Sequence, residues 1–428
     1  MPAPSLAHIG ETVFASIPQP VGVAATPGRL LVTAPLCGNP RQVLSLDSNG
    51  AISVLAVLPS RPSGCFEDYI AIAGPADPSQ PGFPSPTKGG FPSNFAYVVQ
   101  GTNIVAVSPS GTVTPFTTVP GCEASRNGIT FDDVGTFNYR MIVTCAGGRV
   151  WKIAADGSRT LIADVASALG LASVRIENPD VAPLSFSPYG GHVFVAAELL
   201  GKVLAISPDG VVKIVASWPG AEGVHFVPEL KCNVGASGGT FFTAIKATPS
   251  TPGRINRFPL TAFSGLSGRA VVTSETGAGI GLLTPTGNPT ISPTLFHASI
   301  GKHDGSAFAD CTVPLLIKII VKPGSIPHTI NPQSEGRVPV AILSSPIFNA
   351  LTDPVLSSIT FGLTGTEHSI VSCNTSGQDV NGDGLLDRIC HGDTKKLGIP
   401  SPGVYRGPLI LKLFYNAPGG DPAGEGSD

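Results

Sequence analysis

The chain has 428 residues, which is enough for two domains with full-size cores. Only 13% of the residues are charged and the formal net charge is −3, so the sequence offers no basic face to nucleic acid. Its 52 glycines and 42 prolines exclude a mainly helical protein and favour a turn-dense all-β fold.

The first ten residues, Met1–Gly10, have neither a basic start nor an apolar core. We therefore predict a short leader there and no signal peptide within this chain. The apolar run Val313–Val321 is interrupted by Lys318 and is too short for a bilayer, so we predict no membrane span.

The stretch Gly121–Val165 is the clearest copy of a repeated unit. It contains short runs rich in Ile, Val, Thr and Phe that are bounded by Gly, Asp or Asn, as strands joined by tight turns are. The turn Ala155–Ser158 contains Asp-Gly, which supplies the positive φ that a tight turn needs. Four such strands in about 45 residues form one blade of a β-propeller. The predicted strands are Gly128–Asp133, Met141–Ala146, Val150–Ala154 and Thr160–Val165.

The same unit recurs between residues 11 and 311. A polar turn followed by an apolar strand returns at Asp47–Gly50, Ser108–Gly111 and Ser207–Gly210. A fifth, looser copy is predicted to contain the strands Gly223–Pro228, Thr240–Lys246, Arg254–Leu260 and Ala270–Glu275. A sixth copy lacks its fourth strand and is predicted to contain Gly279–Pro285, Thr294–Ser299 and Ser306–Asp310.

The missing strand lies at the other end of the repeats. Thr12–Pro18 resembles Lys213–Pro219, which follows one of the repeated turns, although Thr12–Pro18 precedes the first copy. We predict that Glu11–Ile17 is the outer strand of the blade made by Gly279–Asp310, because it would close the ring and remove an open edge. Residues 11–311 are thus predicted to form a six-bladed β-propeller closed by an N-terminal strand.

A different pattern begins after Cys311. Apolar strands without the blade repeat are separated by Pro and Gly, which predicts a small C-terminal β-sandwich over residues 312–428. The predicted strands are Leu315–Pro323, Arg337–Leu343, Ser357–Leu363 and Leu409–Tyr415.

The most specific chemical motif lies in this second domain. In the loop from residue 379 to residue 387, oxygen-bearing side chains alternate, a glycine follows where the chain must turn, and a carboxylate ends the loop. We predict that this loop binds one Ca²⁺. An EF-hand has Glu where this chain has Cys390, and the alternative is a surface turn without metal. The predicted ligands are Asp379, Asn381, Asp383, the backbone carbonyl of Leu385, and Asp387.

The eight cysteines contain no CxxC pair, which argues against a zinc ribbon or a thioredoxin-like site. Their even number in an all-β chain indicates disulfides and an oxidising compartment, so we expect a secreted, periplasmic or cell-surface protein. Cys122 and Cys145 lie beside neighbouring strands of one blade, and Cys373 and Cys390 bracket the acidic loop, so each pair is predicted to be bridged. The pairing of the others stays open: Cys37, Cys65, Cys232 and Cys311.

Residues 11–311 resemble the NHL and gluconolactonase-like (senescence-marker-protein-type) six-bladed propellers through RNGITFDD, SPDG and the repeat length. The later segments KIIVKPGSIPHTINPQSEGRVPVAIL and DVNGDGLLDRICHGDT resemble a domain appended to many exported bacterial proteins, which supports the calcium prediction. The chain stops at Asp428, about where that domain would enter another strand, so we expect a truncated domain.

The first resemblance implies a second divalent cation, on the propeller axis, held by carboxylate and Asn side chains just before the innermost strands. Asn127 and Glu222 match that position, and Glu67 or Asp68 is a further match. The aligned residue of the fourth blade is Ala182, and the nearest polar residues precede it. The implied axial ligands are Glu67, Asn127, Asn178, Asp180 and Glu222. The alternative is that the side chains of Asn127 and Glu222 bind neighbouring strands or water.

Two functions fit this sequence. The first is an exported calcium-binding propeller protein that binds a carbohydrate, a polymer or a protein without catalysis. The second is a metal-dependent hydrolase of lactones or esters, whose axial cation polarises a carbonyl and activates water. The departure from the axial pattern in the fourth blade favours the first, and no catalytic residue is assigned. The identity of the extracellular ligand or partner stays open.

Overall fold

The computed structural model describes residues 10–26, 29–47, 50–62, 64–74, 86–122, 126–228, 239–249, 252–298, 301–309, 315–325, 329–345, 348–400, 403–415 and 424–427. Nearly all regular structure there is β-strand, which confirms the all-β prediction. The helical segments are one short α-helix, Val165–Ala168, and the 3₁₀ turns Glu198–Leu200, Leu260–Phe263 and Thr394–Lys396. Within these ranges, no helix combines the length and the apolar character that a bilayer span requires. The chain divides into two compact units between residues 311 and 312.

The described part of the first unit contains six four-stranded antiparallel sheets, numbered here in ring order. Each is given from its inner strand outward. Sheet 1 contains Val23–Thr26, Arg29–Ala34, Gln42–Leu46 and Ile52–Val57. Sheet 2 contains Ile70–Ile72, Ala96–Gln100, Asn103–Val107 and Val113–Thr118. Sheet 3 contains Gly128–Phe131, Met141–Thr144, Arg149–Ile153 and Arg159–Asp164.

The other three sheets continue the ring. Sheet 4 contains Glu177–Val181, Val193–Ala197, Lys202–Ile206 and Val212–Ser217. Sheet 5 contains Ala221–Phe226, Ala270–Ser274, Ile280–Leu283 and Thr294–His297. Sheet 6 contains His303–Phe308, Gly239–Ile245, Arg254–Pro259 and Thr12–Ser16.

The inner strands form a closed ring, which is the arrangement of a β-propeller. The inner strand of each sheet contacts that of the next, and His303–Phe308 of sheet 6 contacts Val23–Thr26 of sheet 1. A hydrophobic cluster fills each junction between neighbouring sheets. Between sheets 2 and 3, for example, the rings of Phe91, Tyr97 and Phe131 meet edge to face with centroids 5.0–5.7 Å apart. Apolar burial of this kind provides most of the stability of a folded domain.

Sheet 3 shows how local sequence produces a blade. Its four strands match the predicted ones to within two residues at each end. At the predicted turn, Asp156 Oδ1 accepts a hydrogen bond from the Ser158 N–H at 2.8 Å. Gly157 has a φ of +80°, a conformation that glycine adopts readily and that Asp-Gly turns use to join antiparallel strands.

The strand grouping predicted for the fifth and sixth blades is wrong. The chain leaves sheet 5 after its inner strand, builds the two middle strands of sheet 6, and only then returns to sheet 5 with Ala270–Ser274. Ala270–Ser274 pairs with Ala221–Phe226 across sheet 5, and Thr243 pairs with Ser306 in sheet 6. Strands of neighbouring blades are equally apolar, so spacing along the chain did not reveal which of them pair.

The predicted closure is right in kind and wrong in its partner. Thr12–Ser16 is the outermost strand of sheet 6, whose inner strand is His303–Phe308, as predicted for a strand that completes the last blade. However, it pairs with Arg254–Pro259, with Thr12 opposite Arg257 and Ser16 opposite Arg254. The strands Ile280–Leu283 and Thr294–His297 belong to sheet 5 instead.

The second unit contains two four-stranded sheets, as expected of a small sandwich. Sheet 7 has the order Leu315–Leu316, Gly424–Ser427, Ile410–Tyr415 and Pro354–Gly362, and sheet 8 has Ile319–Val321, Arg337–Ile342, Arg388–Asp393 and Ile370–Cys373. The prediction of one strand over Leu315–Pro323 is wrong, because this run contributes short strands to both sheets. Ile370–Cys373 and Arg388–Asp393 were not predicted as strands.

Three disulfides lie within the described residues. Cys122–Cys145 and Cys373–Cys390 are bridged, which confirms both predicted pairs. Cys37 is bridged to Cys65, a pair that the sequence left open. Cys232 and Cys311 lie outside the described residues.

Candidate axial acidic site

Six carboxyl groups meet at one end of the ring of inner strands, and we call them the axial acidic cluster. Three begin or nearly begin inner strands of sheets 4, 5 and 6, and one precedes the inner strand of sheet 2. The other two follow the second strands of sheets 4 and 5, which run antiparallel to the inner strands and so end beside their starts. The members are Glu67, Glu177, Glu198, Glu222, Glu275 and Asp304.

Three cationic side chains contact this cluster. The Nζ atom of Lys246 lies 2.8 Å from Glu67 Oε1, 2.5 Å from Glu275 Oε1 and 3.4 Å from Asp304 Oδ2. Arg126 and Arg175 both contact Oε2 of Glu198, at 3.2 and 2.5 Å. Six carboxyl groups face three cations, so a fully ionised cluster would carry an excess of negative charge.

The hydroxyl of Tyr69 connects acids from three sheets. It lies 2.7 Å from Glu222 Oε1, 2.7 Å from Asp304 Oδ1 and 3.3 Å from Glu177 Oε2. A phenol donates only one hydrogen bond. Its two short contacts therefore require that one of the carboxyl groups carries a proton and donates to Tyr69, or that a cation lies between these oxygens.

Several carboxylate oxygens of the cluster are buried without a hydrogen-bond partner, among them Glu177 Oε1 and Glu222 Oε2. Glu177 Oε1 is still 3.8 Å from the guanidinium of Arg175, whereas Glu222 Oε2 has no cationic group within 4 Å among the described residues. One oxygen each of Glu177, Glu198 and Glu222 lie within 4.8 Å of one another, close enough to bind one metal ion. A buried charged oxygen without a partner is costly, so this arrangement fits a bound cation or a protonated acid.

Burial and mutual repulsion shift the titration of these acids. Burial, and then the charges of Glu222 and Glu67, raise the pKa of Glu177 well above its usual range. Burial and the charge of Asp304 do the same to the pKa of Glu222, although Lys246 opposes them. For Asp304, burial outweighs the charge of Lys246 and raises the pKa to about 7. Each shift favours the neutral acid unless a cation offsets the charge.

The structure brings two of the predicted axial ligands, Glu67 and Glu222, into this cluster and places the others elsewhere. The side chain of Asn127 binds backbone groups: its Nδ2 donates to the Cys122 carbonyl at 3.1 Å, and its Oδ1 accepts from the Ala146 N–H at 3.0 Å. Asp180 accepts hydrogen bonds from the backbone N–H groups of Val181 and Phe226. Asn178 Nδ2 donates to the Glu222 carbonyl at 3.3 Å. Asp68, the alternative to Glu67, pairs with Arg41 and Arg61 at 3.2 and 2.6 Å.

The residues of this site that the sequence did not predict are Glu177, Glu198, Glu275, Asp304 and Lys246. In sheet 4, the register between the inner strand and its neighbour shifts between Glu177 and Asp180, and Asn178 has a φ of +38°. This irregularity places Glu177 five positions before the aligned residue, Ala182, so that counting along the strand did not find it. A simpler common feature is that each missed acid stands at or beside the end of an observed strand in an otherwise charge-poor chain.

The predicted calcium loop is a surface loop closed by its own hydrogen bonds. Asp379 accepts from the N–H groups of Gly382 and Gly384, at 2.7 and 2.9 Å, and these bonds lower its pKa. Asp383 accepts from the Leu385 N–H at 2.8 Å. Gly384 has a φ of +85°, as predicted for a position that favours glycine.

The last residue of this loop has a different environment. Asp387 is buried and accepts hydrogen bonds from the N–H groups of Ser344 and Val380, both at 2.8 Å. The carboxylates of Asp379, Asp383 and Asp387 do not lie within 4.8 Å of one another in the described loop, unlike those of Glu177, Glu198 and Glu222. Calcium binding by this loop stays a prediction.

Comparisons with known proteins do not assign this chain to a family. No protein-family model and no curated protein matches this chain. Among solved structures, a streptogramin B lyase is similar at 15% identity and a TM-score of 0.35, covering 67% of this chain and 86% of its own. YCF48 from Cyanidioschyzon merolae is similar at 9% identity and a TM-score of 0.36, and the match covers 90% of this chain and 97% of YCF48. The Pan2 WD40 domain of Neurospora crassa is similar at 10% identity and a TM-score of 0.32, and the match covers 67% of this chain and 86% of that domain. At such scores, the fold assignment rests on the strand pairing.

Proposed function

We propose that this protein is a cation-binding β-propeller protein of an oxidising compartment, and that it binds an extracellular carbohydrate, polymer or protein without catalysis. The observation that carries the proposal is Glu222 Oε2, a fully buried carboxylate oxygen without a hydrogen-bond partner beside Glu177 and Glu198. A divalent cation among these three acids would offset most of the excess negative charge and give their buried carboxylates a partner.

The donor atoms favour a hard cation. Glu177, Glu198 and Glu222 offer only carboxylate oxygens, which suit Ca²⁺, Mg²⁺ or Mn²⁺. Zinc prefers sulfur and nitrogen ligands. Calcium has the most adaptable coordination of these, and it fits side chains contributed by separate sheets better than magnesium does. The residues present therefore fit a divalent cation on the propeller axis.

The charges around the cluster favour binding over hydrolysis. Ester or lactone hydrolysis needs a substrate carbonyl to reach the cation, or a free donor, that stabilises the developing oxyanion. Here Arg126 and Arg175 are both paired with Glu198, and Lys246 is held by three acids. Glu177, Glu222 and Asp304 are fully buried, so a substrate carbonyl would have to displace these contacts before reaching the cation.

A second cation is proposed for the sandwich domain, at the loop of residues 379–387. The supporting observation is that the short alternating side chains of Asp379, Asn381 and Asp383 form a tight loop in which two glycines have positive φ. Small rearrangements of the exposed carboxylates would place their oxygens around one Ca²⁺. The three disulfides support the proposed oxidising location.

The test is metal analysis of the full chain, with one variant for each site. We expect Glu222→Gln to lose the axial cation and Asp383→Ala to lose the loop cation. Glu335→Gln, at a carboxylate that is 87% exposed and far less constrained, should lose neither. Wild-type protein that binds no cation sensitive to Glu222→Gln would contradict the axial site. Hydrolysis of lactones or esters that disappears in Glu222→Gln would favour the enzyme instead.

A further inference from the structure

We infer that the ammonium group of Lys246 occupies one of two cation positions in the axial acidic cluster. The native site then takes one divalent ion, and removing this ammonium opens a position for another. The inference rests on the proposed axial cation site and specifies how many metal ions that site accepts.

The surroundings of Lys246 resemble those of a bound metal ion. Its Nζ atom contacts three carboxylate oxygens, from Glu67, Glu275 and Asp304, at 2.8, 2.5 and 3.4 Å. These acids come from three different sheets and converge on one point. Calcium binds carboxylate oxygens at about 2.3–2.6 Å, so small side-chain movements would let an ion take the same place.

The backbone fixes this lysine at the cluster. Lys246 directly follows the second strand of sheet 6, and its N–H donates to the Lys302 carbonyl at 2.9 Å, next to the start of the inner strand. Its side chain is only 10% exposed. The three carboxylate oxygens within 3.4 Å of its Nζ atom stabilise the charged ammonium, which therefore acts as a cation of the cluster.

The second position lies next to the first. Glu177, Glu198 and Glu222 form it, and Glu177 Oε1 and Glu222 Oε2 are buried there without a hydrogen-bond partner. The Tyr69 hydroxyl joins the positions, because it contacts Asp304 of the first and Glu222 of the second at 2.7 Å each. Pairs of metal ions in proteins commonly lie about 3.5–4 Å apart.

Charge explains why the native site would accept a single ion. With the ammonium in place, a divalent ion in the second position already offsets most of the excess negative charge, and another cation nearby would be repelled. Replacing Lys246 by alanine removes one positive charge and the volume of its side chain. Glu67 and Glu275 then keep only the longer contacts with Arg126, at 3.5 and 3.7 Å, and Asp304 loses its cation, which a second ion would restore.

The experiment counts manganese ions in the full chain, with Mn²⁺ as the only added metal. Asp383→Ala serves as the parent so that the sandwich loop does not contribute. We expect about one Mn²⁺ in the parent, and about two in Lys246→Ala with the electron paramagnetic resonance signal of a coupled pair. Lys246→Arg keeps a cation and should bind about one.

The outcomes separate the two proposals. A parent that binds no Mn²⁺ overturns the proposed axial cation. A parent that binds one ion while Lys246→Ala also binds one overturns the role of Lys246 alone. If Lys246→Ala folds only when Mn²⁺ is present, the ion has replaced the ammonium, as inferred. If it folds in neither condition while Lys246→Arg folds, the inference fails, because an ion should substitute for the lost charge.

Discussion

Glu11 and His297 bind each other across two sheets of the propeller, with Glu11 Oε2 2.7 Å from His297 Nε2. Glu11 directly precedes the N-terminal strand of sheet 6, and His297 ends the outer strand of sheet 5. Asn256 Nδ2 also donates to Glu11 Oε1, at 2.5 Å. The start of the chain is therefore attached to its own sheet and to the neighbouring one.

Deleting residues 1–17 should expose the edge formed by Arg254–Pro259. The deletion removes the buried side chains of Ala15 and Ile17, which should cost about 3 kcal/mol or more, and leaves unpaired backbone groups that promote aggregation. Thermal unfolding and light scattering of the two proteins measure this. Val13→Ala, at a side chain that is 60% exposed, is the control and should change neither. Unchanged melting of the deletion variant would contradict the closure.

Replacing both Cys122 and Cys145 by alanine should destabilise the propeller. The bridge closes a sequence separation of 23 residues between buried positions, for which we expect a loss of about 2–4 kcal/mol. Urea unfolding of oxidised protein measures it. Equal midpoints for the variant and the wild type would show that the bridge does not constrain the unfolded chain.

The stability of sheet 6 should depend on pH through His303, which is buried at the start of the inner strand. Burial lowers the pKa of His303 to about 4, below its ordinary 6.5, so the imidazole stays neutral when the protein is folded. Above pH 6.5 the imidazole is neutral in both the folded and the unfolded chain, so His303 does not lower the free energy of unfolding. As pH falls from 6.5 toward 4, the free energy of unfolding falls by up to about 3 kcal/mol, because only the unfolded chain takes up the proton.

Asp304 acts in the opposite direction, since its folded-state pKa is raised to about 7 and its contribution is lost as pH rises. The comparison therefore uses the difference between wild type and His303→Asn, in which the contribution of Asp304 largely cancels. We expect this difference to become less favourable to the wild type between pH 6.5 and pH 4.5, by urea unfolding at each pH. A difference that does not change with pH would refute the assignment.

Calcium should stabilise the sandwich domain through the loop of residues 379–387. Excess Ca²⁺ should raise the melting temperature of this domain, increasingly as its concentration exceeds the dissociation constant. Asp383→Ala should remove most of the gain while the propeller transition stays unchanged. Asp209→Ala, in an exposed turn of the propeller, is the control. Calorimetry with Ca²⁺ or a chelator decides, and identical melting in both conditions means an ordinary turn.

Tyr69→Phe should weaken cation binding at the axial cluster. The substitution keeps the buried ring and removes the hydroxyl that contacts Glu222 and Asp304, so both acids lose a group that orients them. Loss of such an outer partner typically costs about 10–100-fold in metal affinity. Titration calorimetry with Ca²⁺ measures it, and Tyr97→Phe, another buried tyrosine, is the control. Equal affinities would show that Tyr69 does not orient the acids.

Local sequence alone was enough to predict several strands, tight turns and disulfides of this protein. Short apolar runs bounded by Gly, Asp or Asn were enough to predict the four strands of sheet 3, because a tight turn depends only on the residues that form it. The two disulfides were also predictable from nearby sequence, because Cys122 and Cys145 lie beside neighbouring strands of one blade and Cys373 and Cys390 bracket one loop.

Tertiary structure decided the rest. Whether Ala270–Ser274 pairs with Ala221–Phe226 or with Arg254–Pro259 depends on packing between sheets, and the strands themselves are equally suited to either partner. The axial cluster collects Glu67, Glu177 and Asp304 from distant parts of the chain. These acids come together only because the ring closes and because the strand register shifts in sheet 4. Electrostatic contacts act through space, so they produce no regular spacing of residues that could be recognised in the sequence.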